Sequence, residues 1–148
     1  MFKGLNIASG GMSAQRARLH VISSNIANSS TTRTEDGGPY KRQEAVFRTT
    51  LPQGWAEAMK DGAPKDAAVS LALRGVEISE VQEDSVPGPV IFDPGHPDAD
   101  ENGNVELPNV NPVEEMVDMI AASRSFEANA QSFQTLRDMI TRAMDIGR

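Results

Sequence analysis

The segment from Asp98 to Asn109 carries the side chains that come nearest to a metal-binding pattern. Acidic or amide oxygens stand at Asp98, Asp100 and Asn102, and Gly103 follows, as at the start of an EF-hand calcium loop. The twelfth loop position, which needs a bidentate Glu, is Asn109, and nearby prolines argue against flanking helices. Because Asn-Gly is a strong turn signal, a tight turn between two strands is the better interpretation. We predict no metal site, with a calcium loop as the alternative.

Catalytic chemistry has little support in the residue types present. His20 and His96 are the only histidines, and they lie in different segments. The absence of cysteine excludes a cysteine nucleophile, a thiolate zinc site and a disulfide. No Gly-x-Ser-x-Gly elbow, HExxH pair or phosphate-binding loop is present. A carboxylate pair such as Asp98 and Asp100 is usually just a solvated turn, so we predict no enzyme, no catalytic residue and no cofactor.

Length and charge limit the function classes further. The chain has 148 residues, with 14 Lys and Arg against 21 Asp and Glu, and therefore a net charge of −7. A surplus of acid argues against general nucleic-acid binding, because neutralising phosphates needs cations. No apolar run approaches the ~20 residues of a membrane helix, and the N-terminal residues lack an apolar signal core. Ordinary rules predict a cytosolic protein, unless the chain uses an export route without a cleaved signal.

Charge and proline divide the chain into three parts. Residues 1–34 carry four basic side chains and no acid, residues 35–111 have a net charge of −9, and residues 112–148 have −2. All nine prolines lie between Pro39 and Pro112. Two proline-free ends around a proline-rich acidic centre are typical of helical arms on a turn-rich insert. The predicted domains are an N-terminal helical arm (1–34), a central proline-rich β domain (35–110) and a C-terminal helical arm (111–148).

The N-terminal arm has apolar residues every three or four positions, which predicts one face of a helix. Each glycine in its first turns lowers the stability of the helix by roughly 1 kcal/mol relative to alanine. We therefore expect a firm helix from Met12 to Ala27 with a softer start. Asn28 to Thr32 end it, since short polar side chains compete for helix hydrogen bonds. The predicted subunit-packing residues are Leu5, Ala8, Met12, Leu19, Ile22 and Ile26.

The C-terminal arm has a clear start signal. Asn111 suits the N-cap, Pro112 the first helical position, and Glu114 stands three residues past the cap. The apolar spacing then continues for over four heptads, so at ~1.5 Å per residue the helix would reach roughly 50 Å. The predicted subunit-packing residues are Met116, Ile120, Phe126, Ala130, Phe133, Leu136 and Ile140.

The centre alternates apolar and polar residues over short segments, which predicts strands. These segments lie around Ala45–Thr49, Val69–Arg74, Val76–Ser79 and Val90–Phe92, with Gly75 as a turn or bulge. The predicted fold class is α+β, with long N- and C-terminal helices that pair as a coiled-coil stem and a small central β domain. From spacing alone, two arrangements stay open: the arms pack as a hairpin on the centre, or they pair and also present apolar surface to other chains.

Several motifs in the same order resemble the bacterial flagellar rod and hook family. Residues 23–28 with Thr31 and Thr32 are similar to its N-terminal helix-ending motif. The proximal-rod branch of this family is resembled by four further segments, residues 34–42, 93–100, 108–120 and 124–129. In the last of these, Phe126 stands where the family usually has Tyr. The matching positions include Ser24, Asn25, Ala27, Asn28, Gly37, Gly38, Pro39, Tyr40, Asn111, Pro112, Glu115, Glu127 and Asn129.

The resemblance implies a structural subunit of the flagellar basal-body rod. Such subunits are exported unfolded through the flagellar type III apparatus without a cleaved signal, and assemble in the periplasm into a helical tube that transmits motor torque. The implied partners are the export apparatus, the base of the rod and other rod proteins, in self or paralogue assembly, without nucleic acid or membrane insertion. The alternative from another class is a monomeric binding domain with a helical hairpin and a degenerate calcium-type loop.

The shared spacing of the two arms also gives a specific packing hypothesis. We expect Leu19, Ile22 and Ile26 to face residues of the C-terminal arm within or between subunits. Their predicted partners are Phe126, Phe133 and Ile140.

Overall fold

The computed structural model describes residues 2–35, 37–50 and 74–146. The elements in chain order are α1 (Phe2–Ala27), β1 (Gln43–Thr49), β2 (Val76–Glu83), β3 (Val90–Phe92), β4 (Asn104–Glu106) and α2 (Pro112–Ile146). Two long helices therefore flank a small central β region, and the α+β class is confirmed.

Helix α1 begins earlier than the predicted firm helix, since it is already helical from Phe2. The glycines that were expected to soften its start are sites of close approach. A Cβ atom added at Gly4 would lie 3.3 Å from Leu136 Cδ1, and one at Gly10 would lie 3.3 Å from the carbonyl oxygen of Val76. These contacts with other elements offset the glycine penalty, and the helix therefore includes the start that was predicted to be softer.

Both predicted helix boundaries in the middle of the chain are confirmed. Helix α1 ends at Ala27, where the Asn28 side chain turns back and donates a hydrogen bond to the Ser24 carbonyl at 2.9 Å. Helix α2 starts at Pro112, and the side-chain oxygen of Asn111 accepts a hydrogen bond from the Val113 amide at 3.1 Å. Asn111 is thus the N-cap. At ~1.5 Å per residue, the 35 residues of α2 extend for roughly 50 Å.

The described strands form two small sheets, β1 with β2 and β3 with β4. Strands β3 and β4 are antiparallel, with Ile91 opposite Val105. The predictions around Ala45, Val76 and Val90 are confirmed, whereas the predicted segment Val69–Arg74 lies almost wholly outside the described residues. Gly75 has no positive φ, and its carbonyl accepts a hydrogen bond from the Thr50 amide at 3.0 Å. The glycine therefore continues the pairing of the first sheet instead of making a left-handed turn.

The chain divides into two compact units. The first comprises Met1–Ala17, Phe47–Ser79 and Ser123–Arg148, and the second comprises Arg18–Val46 and Glu80–Ala122. The predicted three-domain division stays a prediction. Within the described ranges, none of the helices combines the length and apolar character needed to cross a membrane.

The two helices run antiparallel in the first unit. Gly4 lies against Leu136, and Gly11 lies against Asn129, so residue numbers fall along α2 as they rise along α1. Phe133 therefore lies along the stretch of α1 between the two glycines. That stretch is its neighbour within the first unit. The predicted pairing of Phe133 with Ile22 stays a prediction.

Candidate assembly site

A buried polar junction joins both helices to β1 in the second unit, and Asn25 is at its centre. The side chain of Asn25 is 1% exposed, two residues before the end of α1. Its Nδ2 donates to the Gln43 carbonyl at 2.8 Å, and its Oδ1 accepts from the Gln43 amide at 2.9 Å. The side-chain amide thus pairs with the backbone of Gln43 as a neighbouring strand would. These bonds attach the end of α1 to the first residue of β1.

Glu115 brings α2 to the same point. Its side chain is 1% exposed, and its Oε2 accepts from Asn25 Nδ2 at 3.0 Å while its Oε1 accepts from Arg42 Nε at 2.6 Å. The hydrogen bond to Glu115 raises the pKa of Arg42, more than its partial burial lowers it. A buried carboxylate is costly unless it is paired and hydrogen-bonded, and Glu115 meets both conditions.

The connecting segments supply the remaining partners of the junction. Tyr40 donates its hydroxyl to Asn25 Oδ1 at 3.0 Å. Asn109 accepts from the Arg42 amide at 2.6 Å through Oδ1 and donates to the Val86 carbonyl at 2.9 Å through Nδ2. Asp118, one turn along α2 from Glu115, lies 3.5 Å from Arg18 and 3.8 Å from Arg42. The junction therefore ties α1, β1, the segment before α2, and α2 together.

The chemistry of the junction suits positioning and not catalysis. The carboxylate of Glu115 and the side-chain amide of Asn25 both use their polar atoms on partners inside the chain. If one helix shifted by one residue along the other, these directional hydrogen bonds would break, whereas apolar contacts could re-form. Hydrogen bonds therefore define the relative position of the two helices more specifically than apolar contacts do. Asn25 and Glu115 thus set how the beginning of α2 sits on the end of α1.

The junction also decides which face of α2 turns inward at its start. The first fully buried side chains of α2 are Glu115 and Ala122, seven residues and two turns apart. Four apolar residues of the first turns of α2 lie on the opposite face and are exposed, namely Val113, Met116, Val117 and Ile120. Apolar spacing alone does not reveal this orientation, because a polar residue occupies the inward face.

The predicted packing residues of α1 line its covered side. Ala8 and Ile22 are buried, at 6% and 4% exposure. Leu5, Met12, Leu19 and Ile26 are half-buried. Ala14, which the spacing does not include, is also buried, at 4% exposure.

The predicted packing residues of α2 fall into two classes. Phe126, Ala130, Phe133, Leu136 and Ile140 are half-buried against their own chain. Met116 and Ile120 are exposed, at 53% and 56%. The assignment of these residues to contacts between subunits stays a prediction.

The positions that matched family motifs occupy caps, turns and the junction. Asn25, Tyr40 and Glu115 are in the junction, and Ser24 has its Oγ 3.4 Å from the Tyr40 hydroxyl. Gly37 and Gly38 have φ values of 78° and 92°, which explains why glycine occupies both. The others are the cap residues Asn28, Asn111 and Pro112, the half-buried Pro39 and Asn129, and the exposed Ala27 and Glu127.

The calcium-like segment forms a turn in the connection between β3 and β4. Asp100 Oδ1 accepts from the amides of Asn102 and Asn104 at 2.9 and 2.8 Å, and these bonds lower the pKa of Asp100. Gly103 has a φ of 80°, as such a turn requires. Asp98 Oδ2 accepts from the Thr32 hydroxyl at 2.7 Å. Among the described residues, no group of three or more His, Asp or Glu side chains is arranged to hold a metal ion.

Arg42 is the junction residue that sequence reasoning missed. The sequence indicates Asn25 and Glu115 only as motif positions, and Arg42 only as the last residue of the motif-like range 34–42. One local signal was available, since Asn25 follows Ile22 by three residues and therefore shares its covered face. A polar residue on an apolar face needs a buried partner, although spacing does not say which one.

Two family models match the ends of the chain. Residues 5–33 match the model described as "Flagella basal body rod protein". Residues 101–146 match the model described as "Flagellar basal body rod FlgEFG protein C-terminal". Both matched segments contribute to the polar junction, through Asn25 and Glu115 respectively.

Curated relatives are similar along nearly the whole chain. The flagellar basal-body rod protein FlgC of Borreliella burgdorferi is 43% identical, over 99% of this chain and 97% of that protein. FlgC of Salmonella typhimurium strain LT2 is 35% identical, over 97% of this chain and 95% of that protein. FlgC of Bacillus subtilis is 33% identical, over 99% and 98%. The similarity therefore includes the central region as well as the two helices.

Proposed function

The chain belongs to the FlgC family of flagellar basal-body rod proteins, and on that premise we propose that it polymerises through its terminal helices into a helical tube. It is a structural subunit of the flagellar basal-body rod and assembles with other rod components. We further propose which surfaces of the chain make the contacts of this assembly.

The observation that carries this proposal is the exposed apolar face at the start of α2. Val113 and Val117 are 69% and 62% exposed, and Met116 and Ile120 lie on the same face. Helices in water bury their apolar faces, because each buried large aliphatic side chain contributes roughly 1.5–3 kcal/mol. A single subunit leaves this face uncovered, and a neighbouring subunit would cover it.

We propose that the packing residues of both arms carry contacts within and between subunits. The half-buried members on α1 and α2 hold the helix pair and leave part of their surface for neighbours. A contact between two different surfaces that does not close into a ring generates a helical filament. A shaft that transmits motor torque needs many such buried contacts, since torque must not slide subunits past each other.

The route to the rod is also part of the proposal. The chain would leave the cytoplasm unfolded through the flagellar type III apparatus, without a cleaved signal, and assemble on the periplasmic side at the base of the rod. The motif resemblance supports this route. The absence of cysteine is compatible with passage from a reducing to an oxidising compartment. Final ordering of the arms on contact with neighbours would couple folding to assembly.

We propose a purely structural role, without catalysis. The names of the relatives describe rod proteins. The alternative, a monomeric binding domain with a calcium-type loop, is not supported by these relatives, and Asp100 in that loop bonds to backbone amides.

A deletion experiment tests the proposed function. A strain of the source bacterium that lacks this chain should not swim, and its isolated basal bodies should lack a completed rod. Plasmid-encoded wild-type chain should restore both, and the chain should then be detected in purified basal bodies. A complete rod in the deletion strain would overturn the proposal. A matched control deletes a late component of the external filament, which should abolish swimming and leave the rod intact.

A further inference from the structure

The exposed face of α2 forms a continuous apolar stripe, defined here as Val113, Met116, Val117 and Ile120. The four side chains are spaced at i, i+3, i+4 and i+7, so they share one face over two turns. Each is at least 53% exposed. Together they present on the order of a few hundred Å² of apolar surface, which is the size at which exposed patches mark interaction sites.

An apolar groove lies in the other unit, between α1 and the first sheet. Small residues of α1 form one wall, and Val76 and Ile78 of β2 form the other. Its volume is about 350 Å³. The α1 residues of this wall are Gly10, Ser13, Ala14 and Ala17.

The stripe and the groove match in length and in chemistry. Val113 to Ile120 and Gly10 to Ala17 each span seven positions along a helix, or roughly 10 Å. The groove has small side chains where the stripe has large ones, as interdigitated packing requires.

Charge also suits a contact between copies. Glu114, beside the stripe, is exposed. Helix α1, which forms one wall of the groove, carries Lys3, Arg16 and Arg18 and no acid, and of these Arg18 is paired with Asp118 at 3.5 Å. Glu77, the acid that lines the groove, is paired with Arg48 at 2.9 Å. An acidic flank would therefore meet a basic helix, which favours this docking over a contact between two stripes.

We infer that the stripe of one copy of this chain docks into the groove of a second copy. This inference rests on the proposed function and specifies one of its contacts. The two surfaces differ, so the contact is heterologous and leaves a free stripe and a free groove at the two ends of any assembly. A stripe-to-stripe contact would instead be isologous and would close into a dimer.

Disulfide trapping tests the inference, because the chain has no cysteine of its own. Two versions of the full chain with tags of different size would be produced together in the deletion strain. One carries Val117→Cys on the stripe, and the other carries Ser13→Cys in the groove. Isolated basal bodies would be oxidised with copper phenanthroline and separated on a non-reducing gel. The matched control replaces Val117→Cys with Gln131→Cys, an exposed position further along α2.

The inference predicts a mixed-tag dimer from Val117→Cys with Ser13→Cys, about tenfold more abundant than from the Gln131 control, because neighbours held in place raise the effective concentration. Three results would contradict it. The mixed dimer could form in the same yield as with the Gln131 control, or a dimer of two Val117→Cys chains could dominate. The mixed dimer could also form only after the basal bodies are dissolved. Swimming before oxidation reports on the proposed function separately. Swimming cells without the mixed dimer would overturn the inference alone, whereas absence of the chain from the rod would overturn the proposed function.

Discussion

Asn25 Nδ2 donates a hydrogen bond of 3.0 Å to Glu115 Oε2 in a buried site, although the two residues are 90 positions apart in the sequence. The bond connects the last turns of α1 to the first turn of α2. It turns Glu115 inward, and the apolar residues on either side of Glu115 in the sequence then lie on the exposed face. A polar contact inside one subunit thereby determines which apolar surface of α2 is exposed, and this is the surface that we propose neighbouring subunits cover.

The first prediction concerns the charge pair in the junction. Arg42→Met leaves the buried carboxylate of Glu115 without its cation, which should lower the free energy of unfolding by about 3–5 kcal/mol. Arg48→Met is the matched control, because its partner Glu77 is solvent-exposed and such pairs contribute about 0–1 kcal/mol. Urea denaturation of each full chain, followed by circular dichroism, measures both. Equal losses in the two variants would show that the Arg42–Glu115 pair has no special role.

The second prediction is a new pH dependence. Asn25→Asp places a second carboxylate beside Glu115, and repulsion by that neighbouring charge in a buried site raises the pKa of the introduced aspartate above its unfolded value. A raised folded-state pKa contributes stability at low pH that is lost as pH rises through that pKa. The urea midpoint of this variant should therefore fall as pH increases from about 5 to 8. Asn25→Ala is the control, since it removes the same bonds without a charge. A variant midpoint that follows the control across this range would refute the prediction.

Local signals predicted the helices and most described strands, and they located the Asn111 cap, because each depends on residues close in sequence. They did not predict the close approach of Gly10 to the Val76 carbonyl, since that contact joins distant segments. They also missed the role of Arg42 for the same reason. The spacing of apolar residues assigned Met116 and Ile120 to the same packing set as the half-buried Phe126. Spacing does not indicate that Glu115 lies on the buried face of α2 and leaves Met116 and Ile120 exposed.

The third prediction concerns the turn at Asp100. Its carboxylate accepts two backbone hydrogen bonds, which lower its pKa from the ordinary 3.8. A lowered folded-state pKa contributes stability above the unfolded value, and that stability is lost as pH falls through the lowered pKa. The amide chemical shifts of Asn102 and Asn104 should therefore titrate with a midpoint below 3.8. Their midpoint should disappear in Asp100→Asn and persist in Glu101→Gln. A midpoint at or above 3.8 would contradict the role of these bonds.

The fourth prediction separates assembly from folding. Val117→Asp changes an exposed residue, so the free energy of unfolding of the isolated chain should change by less than about 0.5 kcal/mol. Burial of the new carboxylate between subunits is costly, so swimming should be lost. Gln131→Asp, also exposed on α2, should leave swimming intact. Normal swimming of the Val117→Asp strain would argue against any buried contact at this face.

The fifth prediction concerns the covered faces of both helices. The double change Ile22→Asp and Phe133→Asp should abolish swimming while the chain is still exported, because the proposed export route carries the unfolded chain, whereas the proposed assembly needs apolar contacts. Immunoblots of the periplasmic fraction measure export, and soft-agar plates measure swimming. Ser23→Asp with Ser132→Asp, on the exposed faces of the same helices, serves as the control and should swim normally. Unchanged swimming of the Ile22 and Phe133 variant would refute the packing hypothesis.

The central claim is that this chain forms part of the rod wall through its two terminal helices. A reconstruction of the isolated basal body with the chain traced tests it most directly. We predict that α1 and α2 lie in the wall of the tube and that neighbouring subunits cover Val117. A chain traced outside the rod, or placed in it with both helices facing solvent, would contradict the account.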